Sequence, residues 1–221
     1  MYPDFTVVDN FLDDPEYAVE LANRLEYNSN DEGRWPGTRS SFIHEVDPEF
    51  FQYVYSKIFS IFYESEPTYW EGSLNFQKIT PYHFDQYDKK NMGWVHIDGN
   101  PKPGGIQFGG IIYLDKNPEN DTGTSMYTKK DDSVLDQDHN IMKENLYLNK
   151  LHSDKAYYEA YDLFHKPFTE SVTVKNRYNR MVIIDGNTFH AAQTFGTKER
   201  LTLCFFGHTI EGKTQPMLRY R

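Results

Sequence analysis

Apolar positions along the chain follow one period in the first third and another after it. Residues 2–8 read as a short strand. Asp13-Asp14-Pro15-Glu16 then forms a helix start, with acidic caps and a proline in the first turn. Ala18, Leu21, Ala22 and Leu25 follow at helical spacing. Asp47-Pro48-Glu49 repeats the start signal, and Phe50, Phe51, Val54, Ile58, Ile61 and Phe62 continue it at i, i+3/i+4. The pattern predicts two amphipathic helices, over roughly 14–26 and 48–64. From about Ser73 the texture changes to short β-rich runs at 74–80, 93–98, 109–115, 125–129, 171–175, 180–185, 189–194 and 201–208. Turn residues such as Asn100-Pro101, Asn117-Pro118 and Gly186-Asn187 separate them. Many short strands with such punctuation predict a sandwich or barrel, and a double-sheet jelly roll is one solution. Residues 131–166 are polar, Tyr-rich and without period-2 alternation, which predicts a partly helical insertion. The expected fold is mainly β with flanking helices: a jelly-roll core (73–130 and 167–210) packed against a helical N-terminal part (1–72), as one domain over residues 1–221.

Composition narrows the function classes. With 17 Tyr and 16 Phe in 221 residues, the chain is too aromatic for a disordered one. A net charge of -10 makes nucleic acid an unexpected partner, because phosphate backbones repel it. A single cysteine, Cys204, excludes an intramolecular disulfide and a Cys-rich zinc site. Together with an N-terminus that does not resemble a secretory leader, it sets the expectation of a reducing, cytoplasmic environment. No apolar run approaches the ~20 residues that span a bilayer, so no membrane partner is expected.

The chemistry begins at His96-Ile97-Asp98, at the end of an expected strand. Residues i and i+2 of a strand share a face, so one imidazole and one carboxylate project together. Gly99-Asn100-Pro101 makes a sharp exit, and the apolar run Gly109–Leu114 follows. Far downstream, His190 opens another strand. Two imidazoles and a carboxylate on one face of a metal leave three positions open, the facial triad of non-haem Fe(II) oxygenases. His-x-Asp occurs three times, at His83, His96 and His152. The His152 copy falls in the helical insertion, where i and i+2 diverge, and the His83 copy has no strand to anchor it. Arg200 lies ten residues after His190, at the head of a strand that places Arg200, Thr202 and Cys204 on one face. A guanidinium inside a barrel needs an anion, and a carboxylate is the natural bidentate partner.

At these residues the chain resembles the Fe(II)/2-oxoglutarate-dependent oxygenases, especially the prolyl-hydroxylase-like branch. The resemblance rests on His96, Asp98, His190 and Arg200 in that order, on Gly123-Thr124-Ser125-Met126-Tyr127, and on Asn179–Asp185 leading to Phe189-His190. It implies a double-stranded β-helix in which His96, Asp98 and His190 hold Fe(II). The co-substrate 2-oxoglutarate would chelate the metal and pair its distal carboxylate with Arg200, helped by Thr202 and Tyr113. It further implies a hydroxylase that uses O2, acts on a small-molecule or peptide substrate, and releases succinate and CO2. Two rival readings use the same residues. A zinc-dependent hydrolase could employ the His/Asp/His site but gives Arg200 no role. A non-catalytic β-barrel binding module predicts no metal. Of the other motifs, Trp35-Pro36-Gly37-Thr38-Arg39 is a turn-rich loop whose arginine could meet an acidic substrate or an Asp of this acidic chain.

Overall fold

Two helices form where the caps and apolar spacing place them. The computed structural model describes residues 5–29, 31–63, 65–99, 106–130 and 138–211. Helix α1 (Pro15–Arg24) starts where the Asp14 carboxylate accepts the Tyr17 N–H at 3.0 Å, and α3 (Pro48–Phe62) where Asp47 accepts the Phe50 N–H at 3.0 Å. Both place proline in the first turn, where its missing N–H costs nothing. A single-turn helix, α2 (Ile43–Val46), precedes α3. Strand β1 (Phe5–Val8) opens the described chain.

The remaining strands build two antiparallel sheets. The larger runs β1-β8-β5-β10-β4-β3-β2, with β2 (Tyr27–Ser29), β3 (Thr38–Ser40), β4 (Tyr69–Ile79), β5 (Phe108–Tyr113), β8 (Met181–Asp185) and β10 (Arg200–Glu211). The smaller runs β7-β6-β9, with β6 (Thr124–Lys129), β7 (Phe168–Val174) and β9 (His190–Ala192). Strands β2 and β3 have three residues each, too short and polar for alternation to reveal them in the sequence. The segment 131–166 contributes α4 (Asp138–Tyr147) and α5 (Asp154–His165).

Strand β10 shows why the layers assemble. Its odd residues Leu203 and Phe205 enter an apolar cluster with Ala18 and Leu21 of α1 and Val54 and Ile58 of α3. Burying an Ile or Leu side chain of this kind stabilises the fold by about 1.5–3 kcal/mol. Its even residues Arg200, Thr202 and Cys204 face the other way, toward the smaller sheet, as the period-2 pattern predicts. Tyr113, Met126, Val174, Val182 and Ile184 fill one end of the space between the sheets, and the other end stays open as a cavity.

The strand expected over 93–98 is not formed as such. Its pairing with β9 is reduced to a bridge in which His96 and His190 exchange N–H···O bonds of 3.0 and 2.9 Å, and to a bond of 3.0 Å from the Gly93 N–H to Ala192 O. The Val95 N–H instead reaches the His165 Nε2 of α5 at 3.1 Å, so helix rather than sheet satisfies the backbone there. Among the described residues no helix is long and apolar enough to cross a membrane.

Candidate metal centre

The bridge between His96 and His190 brings the two imidazoles side by side, with ring centroids 4.4 Å apart. Each Nδ1 faces a backbone carbonyl two residues back: His96 at 2.8 Å from Trp94 O, His190 at 2.9 Å from Thr188 O. A carbonyl only accepts, so each Nδ1 carries the proton and each Nε2 presents a lone pair. Both lone pairs converge on Asp98, at 3.7 Å (His96 Nε2 to Oδ1) and 3.5 Å (His190 Nε2 to Oδ2). Donors bound at 2.0–2.2 Å to one ion sit about 3 Å apart, so a small contraction would let these three residues hold a metal. Fixing the tautomer through Nδ1 is how proteins orient metal-binding histidines.

The neighbourhood of His96 favours its neutral form. His190 is buried, whereas half of the His96 side chain opens to the cavity. Desolvation, aided by the neighbouring His190 and opposed by Asp98, pushes the His96 pKa down. Gly109 makes room for the carboxylate: a Cβ there would lie 2.3 Å from Asp98 Oδ2 and 3.1 Å from the Phe206 ring.

Arg200 lines the same cavity, which has a volume of about 960 Å3. The residue is 5% exposed, its guanidinium sits 5.4 Å from the centroid of the Tyr113 ring, and among the described residues its Nε has no hydrogen-bond partner. It makes no ion pair within 4.0 Å there, although Asp115 lies near enough to feel its charge. Thr202 is buried one pleat further along β10 and opposes Tyr113 across the sheet. Tyr113 turns its hydroxyl to Thr124 Oγ1 at 2.7 Å, and burial raises its pKa.

The other two His-x-Asp copies have different work. The His83 ring accepts the Asp85 N–H at 3.2 Å within a loop wound on the buried Asn91, whose amide bonds the backbone of Tyr82, His83 and Asp85. Ser153, between His152 and Asp154, caps α5 by accepting the Ala156 N–H, and Asp154 pairs with Lys90. Sequence reasoning missed Gly109 and His165, because each acts through a contact across the fold. It also did not connect α5 to the site: besides the Val95–His165 bond, the Trp94 indole N–H donates to Tyr157 at 2.9 Å.

Solved structures with this fold include a prolyl-4-hydroxylase from Pseudomonas putida (14% identity, 93% of this chain and 92% of that one, TM-score 0.52). HygX from Streptomyces hygroscopicus, solved with nickel, 2-oxoglutarate and hygromycin B, matches at 13% identity (93% and 83%, TM-score 0.55). The non-heme alpha-ketoglutarate-dependent epimerase SnoN of nogalamycin biosynthesis matches at 13% identity (96% and 79%, TM-score 0.53). No curated protein sequence matches the chain. At 13–14% identity these likenesses establish architecture alone, while a family pattern matches residues 3–201. With the fold of the 2-oxoglutarate/Fe(II) oxygenases, the chain belongs to DUF6445, a family of unknown function.

Proposed function

We propose that the protein is an Fe(II)- and 2-oxoglutarate-dependent oxygenase, with its two sheets rolled into a double-stranded β-helix. The observation that carries this reading is the convergence of the His96 and His190 Nε2 lone pairs on Asp98, in a cavity that also holds the buried Arg200. His96, Asp98 and His190 are the metal ligands. Two nitrogens and one oxygen are a donor set suited to ferrous iron, and three protein ligands leave positions for co-substrate and O2. Arg200 pairs with the distal carboxylate of 2-oxoglutarate, Thr202 adds a hydroxyl, and Tyr113 backs the guanidinium with its ring. When bound, iron and 2-oxoglutarate supply oxidative decarboxylation to succinate and CO2, coupled to oxidation of a substrate C–H bond. Retention of the Asp98 carboxylate favours hydroxylation, since related halogenases replace it to admit halide.

The chain's own residues set the conditions for that chemistry. The carbonyls of Trp94 and Thr188 keep both imidazoles in the binding tautomer. Asn140, Lys143 and Phe164 of α4 and α5 line the cavity, so these two helices act as a lid that excludes water. The substrate is a small molecule or a peptide segment. A zinc hydrolase would leave the Arg200 guanidinium without a role, and a binding module would leave the paired imidazoles without one.

The test is turnover of 2-oxoglutarate to succinate by the purified chain with Fe(II) and O2, in the presence and absence of candidate substrates. Succinate that depends on Fe(II) and disappears in His190→Ala is the expected result. The absence of both 2-oxoglutarate binding and succinate formation would defeat the reading.

A further inference from the structure

Antiparallel pairing lines up four side chains across the larger sheet. Arg39 of β3 opposes Gln77 of β4, Gln77 opposes Thr202 of β10, and Thr202 opposes Tyr113 of β5. Directly opposed residues share a face, here the face toward the cavity, which Arg39, Gln77 and Thr202 line. The row therefore carries a second arginine on the cavity side of the sheet. The backbone of Arg39 is two strand spacings, roughly 10 Å, from that of Thr202.

Arg39 is only partly matched by what surrounds it. Its guanidinium stacks 4.3 Å from the centroid of the Trp35 ring and 5.5 Å from that of Phe206. Its Nε and the Trp35 Nε1 are both buried, and neither has a hydrogen-bond partner among the described residues. Burial works against the charge, with only Asp98 and Cys204 acting at a distance in its favour. Arginine stays protonated in proteins, so the charge persists and calls for an anion. Gln77 cannot answer it fully: its amide N–H donates to Pro36 O at 2.7 Å and its carbonyl oxygen receives the Cys204 thiol at 3.1 Å. The cavity's other cations lie elsewhere or are taken. Arg34 pairs with Glu32, and Lys143 stands on α4 rather than on the sheet that carries Arg39.

We propose that Arg39 and the Trp35 indole N–H anchor a carboxylate of the substrate, so that the enzyme acts on a small carboxylic acid held between this anchor and the His96–Asp98–His190 cluster. One guanidinium and one neutral N–H match a single negative charge better than a phosphate dianion. The rings of Trp35 and Phe206 flank the anchor and favour an apolar group next to the acid. The assignment rests on the oxygenase reading, because Arg200 is there already committed to 2-oxoglutarate.

The experiment uses the full chain loaded with Ni(II), which is redox-silent here, and 2-oxoglutarate. It is titrated with a set of N-acetyl amino acids, with the matching carboxamides and with phosphate monoesters of similar size, and binding is read by saturation-transfer NMR and tryptophan fluorescence. At least one acid is expected to bind, with its amide roughly ten- to hundredfold weaker, the range for a hydrogen bond to a charged group. Arg39→Gln should abolish that preference while Ni(II) content and 2-oxoglutarate affinity stay at the wild-type level, which also reports that the variant folds. Trp35→Phe, which keeps a ring but removes the N–H, should weaken the acid by a smaller factor. Equal binding of acid and amide, no acid bound, a preference for phosphate monoesters, or an Arg39→Gln loss of 2-oxoglutarate matching that of Arg200→Gln would each overturn the assignment. Failure of the wild-type chain to take up Ni(II) and 2-oxoglutarate would instead bring down the oxygenase reading and the assignment together.

Discussion

Gly109 shows how much depends on one missing methyl group. A Cβ at this position would press on the Asp98 carboxylate at 2.3 Å, and the carboxylate is the part free to move. Gly109→Ala should therefore lower metal affinity by roughly ten- to hundredfold, the range seen when groups that orient a ligand are altered, with the far-ultraviolet dichroism of the wild type. Isothermal titration with Ni(II) checks it, and unchanged affinity would mean that the carboxylate does not bind. His190→Ala should abolish metal uptake outright, and Arg200→Gln should weaken 2-oxoglutarate while the metal remains. Equilibrium dialysis of both variants separates the two roles. His96, Asp98 and His190 were singled out in the sequence by their order and by expected alternation, and the fold brings them into one cluster, while alternation along β10 placed Arg200 and Thr202 on the cavity side. Gly109 was not legible, because its importance lies in a neighbour eleven residues away in sequence.

At the scale of elements, capped helices and alternating strands were readable from local chemistry, and β2 and β3 were not, since three polar residues carry no period. The 93–98 run shows a different limit. Its extended backbone is held by α5 as much as by a strand, through Val95 to His165 and Trp94 to Tyr157. His165→Leu should leave the Val95 N–H unpaired, destabilise the fold by about 1–3 kcal/mol, and weaken Ni(II) binding although residue 165 is not a ligand. Urea titration with and without Ni(II) measures both effects, and normal metal affinity would detach α5 from the site. The end of β1 offers a pH test. Asp9 takes Arg180 in a two-pronged contact of 2.6 and 3.0 Å and Arg177 at 3.1 Å. The Arg180 bond holds the Asp9 carboxyl below its ordinary range, against some desolvation. Its contribution is thus complete above about pH 4 and fades as pH falls through the lower folded-state value. With the carboxylate about a third exposed, Asp9→Asn should cost only about 0.5–1 kcal/mol at pH 7, and the difference should shrink toward pH 3 in urea titrations.

For the molecule as a whole, the two-sheet architecture followed from punctuation and period, but the cavity did not. Its lining comes from both sheets and from α4 and α5, a convergence that no local window contains. Ligands that bind only the folded chain stabilise it by mass action, about 2.7 kcal/mol at a hundredfold excess over Kd. For a chain of this length that corresponds to a rise in Tm of roughly 5–10 °C. Differential scanning fluorimetry with Ni(II) and 2-oxoglutarate should show this rise in the wild type and none in His190→Ala. The same ligands should slow proteolysis within 131–166, and equal cleavage rates would count against a lid.

The tie between α5 and the segment carrying His96 has a practical corollary for anyone redesigning this scaffold. The two helices look like a detachable decoration, inviting removal to obtain a minimal two-sheet core. Yet Trp94 and Val95 would lose the tyrosine and histidine that steady them, and the neighbouring His96 would lose its aim. Deleting α4 and α5 should leave the strands in place and disturb the His96–Asp98–His190 cluster.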